Sequence, residues 1–452
     1  MIDPHTHVPE TVNTSGLSRS VQLAAQARLL RLYQLNPLGS NLLTGQIVFL
    51  LALEYGAGDV AMGLLYGGQW LAGAAAFATP ALCARKDPAR LAADSWLLRT
   101  VLCVGYLSLP LLPNDAAKIA VLVTVFLAFM LIRTVGVSAL NVATAAYTSP
   151  GELTSVVSTS HVWWHIGTLV ITLLSTAVLS LWSTEAAYLG LIALGVAISL
   201  GAASALRGLP EVGRRSAERL RSALPLVLRE RAVRQAMVAT LLVVPQVIAA
   251  AYQLNVLRGP LGLRADHITA LTLSGIALAI FATRLLGKLL PITGLRPVQL
   301  VTHVVLALLG LAWASSALVS ETWRTPWCMG LYVLAQALLA VSGAILTAIH
   351  IDRLSPAAPL ATSSLYQATG AVAGLLGIFL VWVASHLGIE RIPGTGPYAH
   401  AFVLWSLCSA GICLVHLATG GVATVLKDLS LLNPANLISV LRTRPATETT
   451  TP

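Results

Sequence analysis

The feature that most constrains this chain is a succession of about twelve long stretches that are nearly free of charged residues. A helix needs roughly twenty apolar residues to cross a hydrocarbon layer of about 30 Å. The predicted crossings fall at residues 39–54, 60–83, 91–111, 117–147, 154–180, 185–206, 236–257, 267–290, 298–319, 326–350, 360–386 and 398–423. Of the 452 residues, 56% are hydrophobic and only 10% are charged, whereas soluble proteins carry about 25% charged residues. We therefore predict an all-α polytopic membrane protein, since a membrane barrel would show short alternating segments.

The crossings divide the chain into five predicted regions. These are a cytoplasmic leader at 1–38, a six-helix bundle at 39–206, a basic linker at 207–235, a second six-helix bundle at 236–423 and a cytoplasmic tail at 424–452. The leader and the tail each have a pattern compatible with a short amphipathic helix on the membrane surface. No cleavable signal peptide is expected, because the first long apolar run starts only near Leu42.

The placement of the 28 lysines and arginines predicts the orientation of the chain. One set of loops holds five of them, three lie inside crossings (Arg99, Arg133 and Arg284), and the other 20 lie on the side of both termini. Because positive charge marks the cytoplasmic face, both termini are predicted to be cytoplasmic, and we expect the inner membrane of a bacterium. The linker carries eight arginines and three glutamates. We interpret it as a connector that fixes topology, the alternative being a site for anionic lipid or a partner.

Three pairs of positions suggest that the chain is a tandem repeat. The pairs, all separated by 206 positions, are Ser149-Pro150 with Ser355-Pro356, Arg90 with Arg296, and Gly56 with Gly262. The two six-helix bundles are therefore predicted to be parallel repeats. Such repeats share a binding site near the middle of the membrane, between the two halves.

The loop after the second crossing of each half resembles a motif of the major facilitator superfamily, G-x-x-x-D-x-x-G-R-[RK]. The second copy reads GKLLPITGLR, in which Gly287, Gly294 and Arg296 match, while the first copy keeps only Arg90. With the crossings and the repeat, this resemblance covers about residues 39–423. It implies a transporter fold whose fourth crossing lines a central cavity, and it makes the four matching residues candidates for a gating role. The Gly-Pro pattern typical of drug–proton antiporters is missing from the fifth crossing, which disfavours that class.

Arg133 carries the main functional prediction. It lies near the middle of the fourth crossing, about 20 Å from either surface, too far for its side chain to reach water along the helix. Because a charge facing lipid there costs about 2.5–3.5 kcal/mol, Arg133 must face protein or a water-filled cavity. We interpret it as the residue that binds an anionic group of a solute. The alternative is a structural arginine bonded to carbonyls or to Thr134 and Ser138. Arg99 and Arg284, each within about two turns of a cytoplasmic helix end, are predicted to be structural. From there each side chain could reach the headgroups or a loop acid such as Asp94.

Other polar residues in the crossings are candidates for solute binding or for coupling. His161 and His165 lie four positions apart on one face of the fifth crossing, and the repeat mate of His161 is the polar Gln367. Both histidines could carry a proton or bind the solute, and the alternative is that they only form hydrogen bonds between helices. Glu54, near the outer end of the first crossing, could also carry a proton. The candidate solute-binding residues besides Arg133 are Gln46, Asn141, Gln246, Tyr252, Gln253 and Gln336. Because no carboxylate lies in the middle third of any crossing, a histidine-coupled symporter and an uncoupled facilitator stay equal alternatives.

The sequence thus predicts a secondary active or facilitative transporter of a small organic solute, anionic or amphiphilic, that works by alternating access. A membrane-embedded transferase and a non-transporting scaffold or sensor are the alternatives, and no nucleophile–base pair favours the enzyme. No catalytic residue, metal site or cofactor is predicted, because the five cysteines lie in or beside apolar runs without metal-binding spacing. The expected partners are the solute, the lipid bilayer and a proton as a candidate coupling ion. We expect a monomer that does not bind nucleic acid.

Overall fold

A computed structural model gives the fold and describes residues 17–182, 184–213, 220–258, 260–263, 265–386 and 398–430. These residues form helices, turns and irregular segments. The α-helices, numbered α1 to α16 in chain order, are Arg19–Thr44, Gln46–Glu54, Asp59–Leu71, Thr79–Cys83, Pro88–Cys103, Asp115–Tyr147, Pro150–Leu181, Glu185–Arg207, Leu220–Arg229, Arg231–Ala251, Gln253–Arg258, Ala265–Thr293, Leu295–Ala314, Glu321–Asp352, Pro359–His386 and Ala399–Ser430. Short 3₁₀ helices cover Ala72–Ala78, Val104–Leu111 and Ser316–Leu318.

Joined end to end where they are broken, the described helices build twelve rods, and α9 lies in the linker between the sixth and seventh. Nine helical stretches are long and apolar enough to cross a membrane by themselves. The second and third rods are not among them, because each changes to a 3₁₀ helix part of the way along. In the second rod this segment reads AGAAAFA, and its small side chains allow the backbone to approach a neighbouring helix closely.

The first rod begins earlier than the sequence indicated. Helix α1 begins at Arg19, inside the predicted leader, and buries Ala25, Leu29 and Leu32 in the bundle. Arg19 also pairs with Glu152 in the first turn of α7. A continuous helix that breaks only after Thr44 therefore replaces the separate surface helix expected for the leader. The predicted tail helix lies mostly outside the described residues.

Local sequence signals explain where several rods begin. Ser149 caps α7 through a capping box with Glu152, and Pro150 takes the first helical position, where its missing N–H costs nothing. Asp87 and Asn114 cap α5 and α6 by accepting bonds from the amides of Ala89 and Ala117. The linker and the starts of α5, α7 and α15 lie at one end of the rods, which we call the linker side.

The N-terminal half (α1–α8) and the C-terminal half (α10–α16) pack against each other near the linker side. Helix α7 lies along α12, and α15 lies against α6 and the second rod. Leu153 and Val157 of α7 bury their side chains with Ala348 and Ile351 of α14. We call this contact layer, together with the hydrogen bonds described next, the seal.

Hydroxyl groups bond across the seal to backbone carbonyls of the opposite half. The Oγ of Ser363 donates to the carbonyl of Ser138 at 3.1 Å, and the Oγ of Ser364 donates to that of Ala76 at 2.7 Å. Close backbone approach makes these bonds reachable. A Cβ atom on Gly73 would lie 2.5 Å from the carbonyl oxygen of Gln367, so this position has no room for a side chain.

Candidate functional site

Arg133 lies in the interior of the bundle, about four turns from the linker-side end of α6. Its side chain is partly exposed. Among the described residues no hydrogen bond or salt bridge joins its guanidinium to a neighbour, and no carboxylate acts on it. Thr134 donates instead to the carbonyl of Met130 at 2.9 Å, and the buried Ser138 hydroxyl has no partner. Among the described residues, the hydrogen bonds from Arg133 to Thr134 or Ser138 that a structural role would use are therefore not formed.

Arg99 differs from the sequence-based expectation. The expected acid, Asp94, pairs with Lys86 at 2.8 Å instead. Arg99 is 1% exposed, because α5 begins at Pro88 and places it about three turns inside the bundle. Its Nη2 donates to the side-chain oxygen of Asn36 on α1, but its Nε and Nη1 are buried without a partner. The prediction that Arg99 reaches the headgroups was wrong.

Two aromatic rings enclose the guanidinium of Arg99. Its central carbon lies 4.1 Å from the ring centroid of Trp96 and 4.8 Å from that of Phe129. The indole N–H of Trp96 donates to the same Asn36 oxygen at 3.0 Å, which fixes the ring. Cation–π contacts stabilise a desolvated guanidinium by about 2 kcal/mol, yet they supply no negative charge.

The charges of Arg99 and Arg133 act on each other. Phe129, which covers Arg99, lies one turn before Arg133 on α6, and the two guanidinium groups are close enough for electrostatic repulsion between them. Arginine stays protonated in proteins, so two positive charges face the interior of the N-terminal half. No carboxylate of the described chain compensates them. The arrangement is therefore suited to attract an anion. We call these two residues the arginine pair.

The C-terminal half presents neutral amides instead. Gln246 and Gln253 are each 0% exposed, and both polar atoms of each side chain lack a hydrogen-bond partner. They lie two turns apart on a rod that contains Pro245 and breaks at Tyr252, between α10 and α11. Tyr252 packs on Tyr398 with a centroid distance of 5.5 Å. Buried amides without partners cost about 1–3 kcal/mol each, so this region is suited to bind polar groups of a ligand.

The remaining predicted binding residues lie on α6, α14 and α2. Asn141 and Gln336 are partly buried, and Gln336 packs against the backbone at Gly275. Gln46 begins α2, but its side chain lies outside the described part of the structure. Glu54 is exposed at the far end of the first rod, away from the arginine pair.

The two predicted histidines lie near the seal. The Nε2 of His161 is 3.3 Å from the hydroxyl of Thr347 on α14, so His161 bonds across the two halves. The Nε2 of His165 is buried without a hydrogen-bond partner. Gln367, the repeat mate of His161, lies instead where α15 meets Gly73. His161 therefore connects α7 to α14.

The four residues of the loop motif occupy different environments. Arg90 pairs with Glu211 of the linker at 3.3 Å, and Gly294 has a positive φ of 80°, which favours glycine, at the turn before α13. Arg296 lines a cavity of about 180 Å³ with Arg353 on the linker side. Gly287 is not in the loop, because α12 continues to Thr293. A Cβ atom there would lie 2.6 Å from the hydroxyl oxygen of Ser158.

Sequence reasoning missed Asn36, Trp96 and the serines of the seal. Asn36 lies in the predicted leader, and a lone polar residue there gave no signal. The serines Ser363 and Ser364 lie in the predicted crossing at 360–386, but a sequence does not state which backbone carbonyl a hydroxyl will meet. Among the described residues no group of three histidine, cysteine or acidic side chains could hold a metal ion.

Comparisons with known proteins identify the fold. No family model and no curated protein matches the chain. It resembles the solved structure of FucP, a major facilitator superfamily transporter, in the outward conformation, with a TM-score of 0.66 and 13% identity over 88% of this chain and 98% of that one. The proton:xylose symporter XylE matches with a TM-score of 0.63 and 14% identity, over 91% of this chain and 98% of that one. A bacterial homologue of the iron transporter ferroportin, in an outward-facing state, matches with a TM-score of 0.62 and 12% identity, over 88% of this chain and 98% of that one. This chain is an integral membrane protein with the fold of the major facilitator superfamily.

Proposed function

We propose that the protein is a secondary transporter of a small organic anion, and that Arg133 binds the anionic group of the solute. The observation that carries the proposal is the uncompensated charge of Arg133. A partly exposed guanidinium in the interior, without a carboxylate or a hydroxyl partner, is suited to bind a carboxylate or phosphate through its planar fork.

Alternating access is supported by the position of Arg133 relative to the seal. Ser138, little more than one turn further along α6, accepts the hydrogen bond that joins the two halves. A solute bound at Arg133 would therefore lie directly beside the layer that must open to release it toward the linker side. Parallel repeats that rock about a midplane site need this arrangement.

The fold alone does not select a solute. Solved structures with this fold are named for the transport of fucose, xylose, nucleosides and iron. The choice of an anion therefore depends on the arginines of this chain. The buried amides of Gln246 and Gln253 would add hydrogen bonds to the uncharged part of the solute.

Proton coupling through His161 is the finer part of the proposal. An imidazole titrates near neutrality, and His161 bonds to Thr347 across the seal. Protonation would place a charge in a buried contact and so weaken the closed arrangement. An uncoupled facilitator is the alternative, and it would show no dependence on the histidine.

Flux measurements test the transporter proposal. Purified protein in proteoliposomes would be screened against pooled labelled organic anions, with Arg133→Gln beside the wild type. We expect saturable uptake, and a loss of affinity of about tenfold to hundredfold in the variant, because a charge-assisted hydrogen bond contributes about 1.5–3 kcal/mol.

Arg284→Gln is the matched control, since Arg284 is an exposed arginine within α12. Equal losses in both variants would contradict the proposal. Product formation without flux would favour the membrane-embedded transferase, and the absence of both would favour the scaffold.

A further inference from the structure

The arginine pair has a consequence for the charge of the solute. Arg133 alone would suffice for a monoanion. Arg99 adds a second permanent positive charge, fixed between Trp96 and Phe129 and closed off from solvent. Burying a charge without a counter-charge is expensive, and proteins normally pair it. Among the described residues, the neutral amide of Asn36 is the only hydrogen-bond acceptor that meets the guanidinium, and two nitrogens of Arg99 have no partner.

We infer that Arg99 is a specificity-determining residue that makes the site select doubly charged anions, such as dicarboxylates or phosphate monoesters. Arg99 does this without touching the solute. Its charge acts through the protein interior, where screening by water and salt is weak, on an anion bound at Arg133. This inference rests on the proposed function, because it assumes that an anion binds at Arg133.

The surroundings of Arg99 fit such an action at a distance. The rings of Trp96 and Phe129 cover the faces of the guanidinium and Asn36 holds one edge, so the charge has a fixed position. A purely structural arginine would be expected to pair with an acid or with several carbonyls. In a site that binds a monoanion, a second positive charge without a counter-charge would only destabilise the protein when no solute is bound.

Two substitutions remove the extra charge in different ways. Arg99→Gln deletes it. Asn36→Asp keeps Arg99 and neutralises it in place, because the oxygen that already accepts from Arg99 and Trp96 becomes part of a carboxylate. Asn36→Asp only replaces the side-chain NH2 group by an oxygen atom. It therefore keeps the inference testable if Arg99→Gln does not fold.

The test is calorimetric titration of the purified full chain with two matched pairs of probes. Succinate is compared with its monoamide succinamate, and glycerol 3-phosphate with its monoanionic methyl diester. For the wild type we expect the dianion of at least one pair to bind about tenfold or more tightly than its monoanion. In Asn36→Asp and Arg99→Gln we expect this ratio to fall below about threefold, while the monoanion keeps its affinity. Asn36→Asp should also raise the melting temperature of the apo protein.

The outcomes separate this inference from the proposed function. A ratio near one in the wild type, or a ratio unchanged in both variants, overturns the selection of dianions. If monoanions still bind and Arg133→Gln abolishes that binding, the proposed function stands. If none of the four probes binds the wild type, the dianion assignment falls, and the flux screen decides the proposed function by itself. Equal weakening of both members of a pair would make Arg99 merely structural.

Discussion

The interiors of the two halves differ in kind although the rods that form them correspond. Within the described part of the chain, the N-terminal half holds two arginines with no acid beside them. The C-terminal half, over the same described residues, holds two glutamines whose amides have no partner. Leu339 lies at the position that corresponds to Arg133 in the predicted repeat. The two halves thus combine a corresponding order of rods with different interior chemistry.

Under the proposed function, this difference gives the two halves different roles in binding the solute. Charge attracts over a long distance and with little directionality, whereas amides discriminate by geometry at contact. One half can therefore retain the anion while the other forms and breaks short-range bonds. The seal between them consists of hydroxyl-to-carbonyl bonds and small side chains, each weak enough to open in sequence.

Reversing the charge at Arg133 should break the comparison most severely. We expect Arg133→Glu to lower anion flux about a hundredfold or more, because repulsion replaces a charge-assisted bond. The protein should nevertheless melt no earlier than the wild type, since the new carboxylate lies near the uncompensated Arg99. Proteoliposome flux and the melting temperature in detergent measure the two effects. Arg284→Glu is the control. A flux of Arg133→Glu within threefold of the wild type would refute the expectation.

Bulk at the seal should affect transport strongly and affinity little. In Gly73→Val the side chain meets the Gln367 carbonyl and the Ala371 side chain, so the halves cannot close. We expect about a tenfold lower uptake rate with an unchanged binding constant, measured by flux and calorimetry. Gly190→Val is matched to it, because no other atom lies within 4 Å of a Cβ at Gly190. A loss of rate in the control alone would reverse the interpretation.

Removing the amides of Gln246 and Gln253 should raise the stability of the protein and lower its affinity for the solute, which sharpens the comparison of the two halves. Gln246→Leu and Gln253→Leu each delete two buried polar atoms without partners, so we expect a higher melting temperature. Solute affinity should fall by about twofold to tenfold, corresponding to a neutral hydrogen bond. The preference for dianions should stay, because the charges are in the other half. Unchanged affinity in both variants would make the two glutamines structural.

The smallest expected effect concerns pH. We expect wild-type uptake to be faster at about pH 4 than at about pH 7, because protonation of the buried imidazole in the seal favours opening. His161→Gln keeps a bond to Thr347 but cannot titrate, so its rate should not vary with pH. His165→Gln should retain the variation. A wild-type profile preserved in the His161 variant would remove this residue from coupling.

Sequence and structure agree best where apolar length alone decides. Long uncharged runs must become helices in a membrane, so most rods and the interior position of Arg133 could be predicted. Arg99 was misjudged, because the distance from a predicted helix end depends on where that end lies. Helix α5 begins at Pro88 rather than at the predicted residue 91, and the packing of α1 places Asn36 beside Trp96 and Arg99. Helix α12 similarly continues to Thr293, beyond the predicted end of its crossing at residue 290.

The sequence by itself determined that this chain spans a membrane and carries a charge where lipid would reject it. Hydrophobic length and the cost of burying a cation act locally, so they can be read without coordinates. Only the tertiary structure decided that Arg99 stands beside Arg133 without an acid, that two glutamines lack partners, and that His161 reaches Thr347. Each of these depends on which faces of distant helices meet, and that is a property of packing.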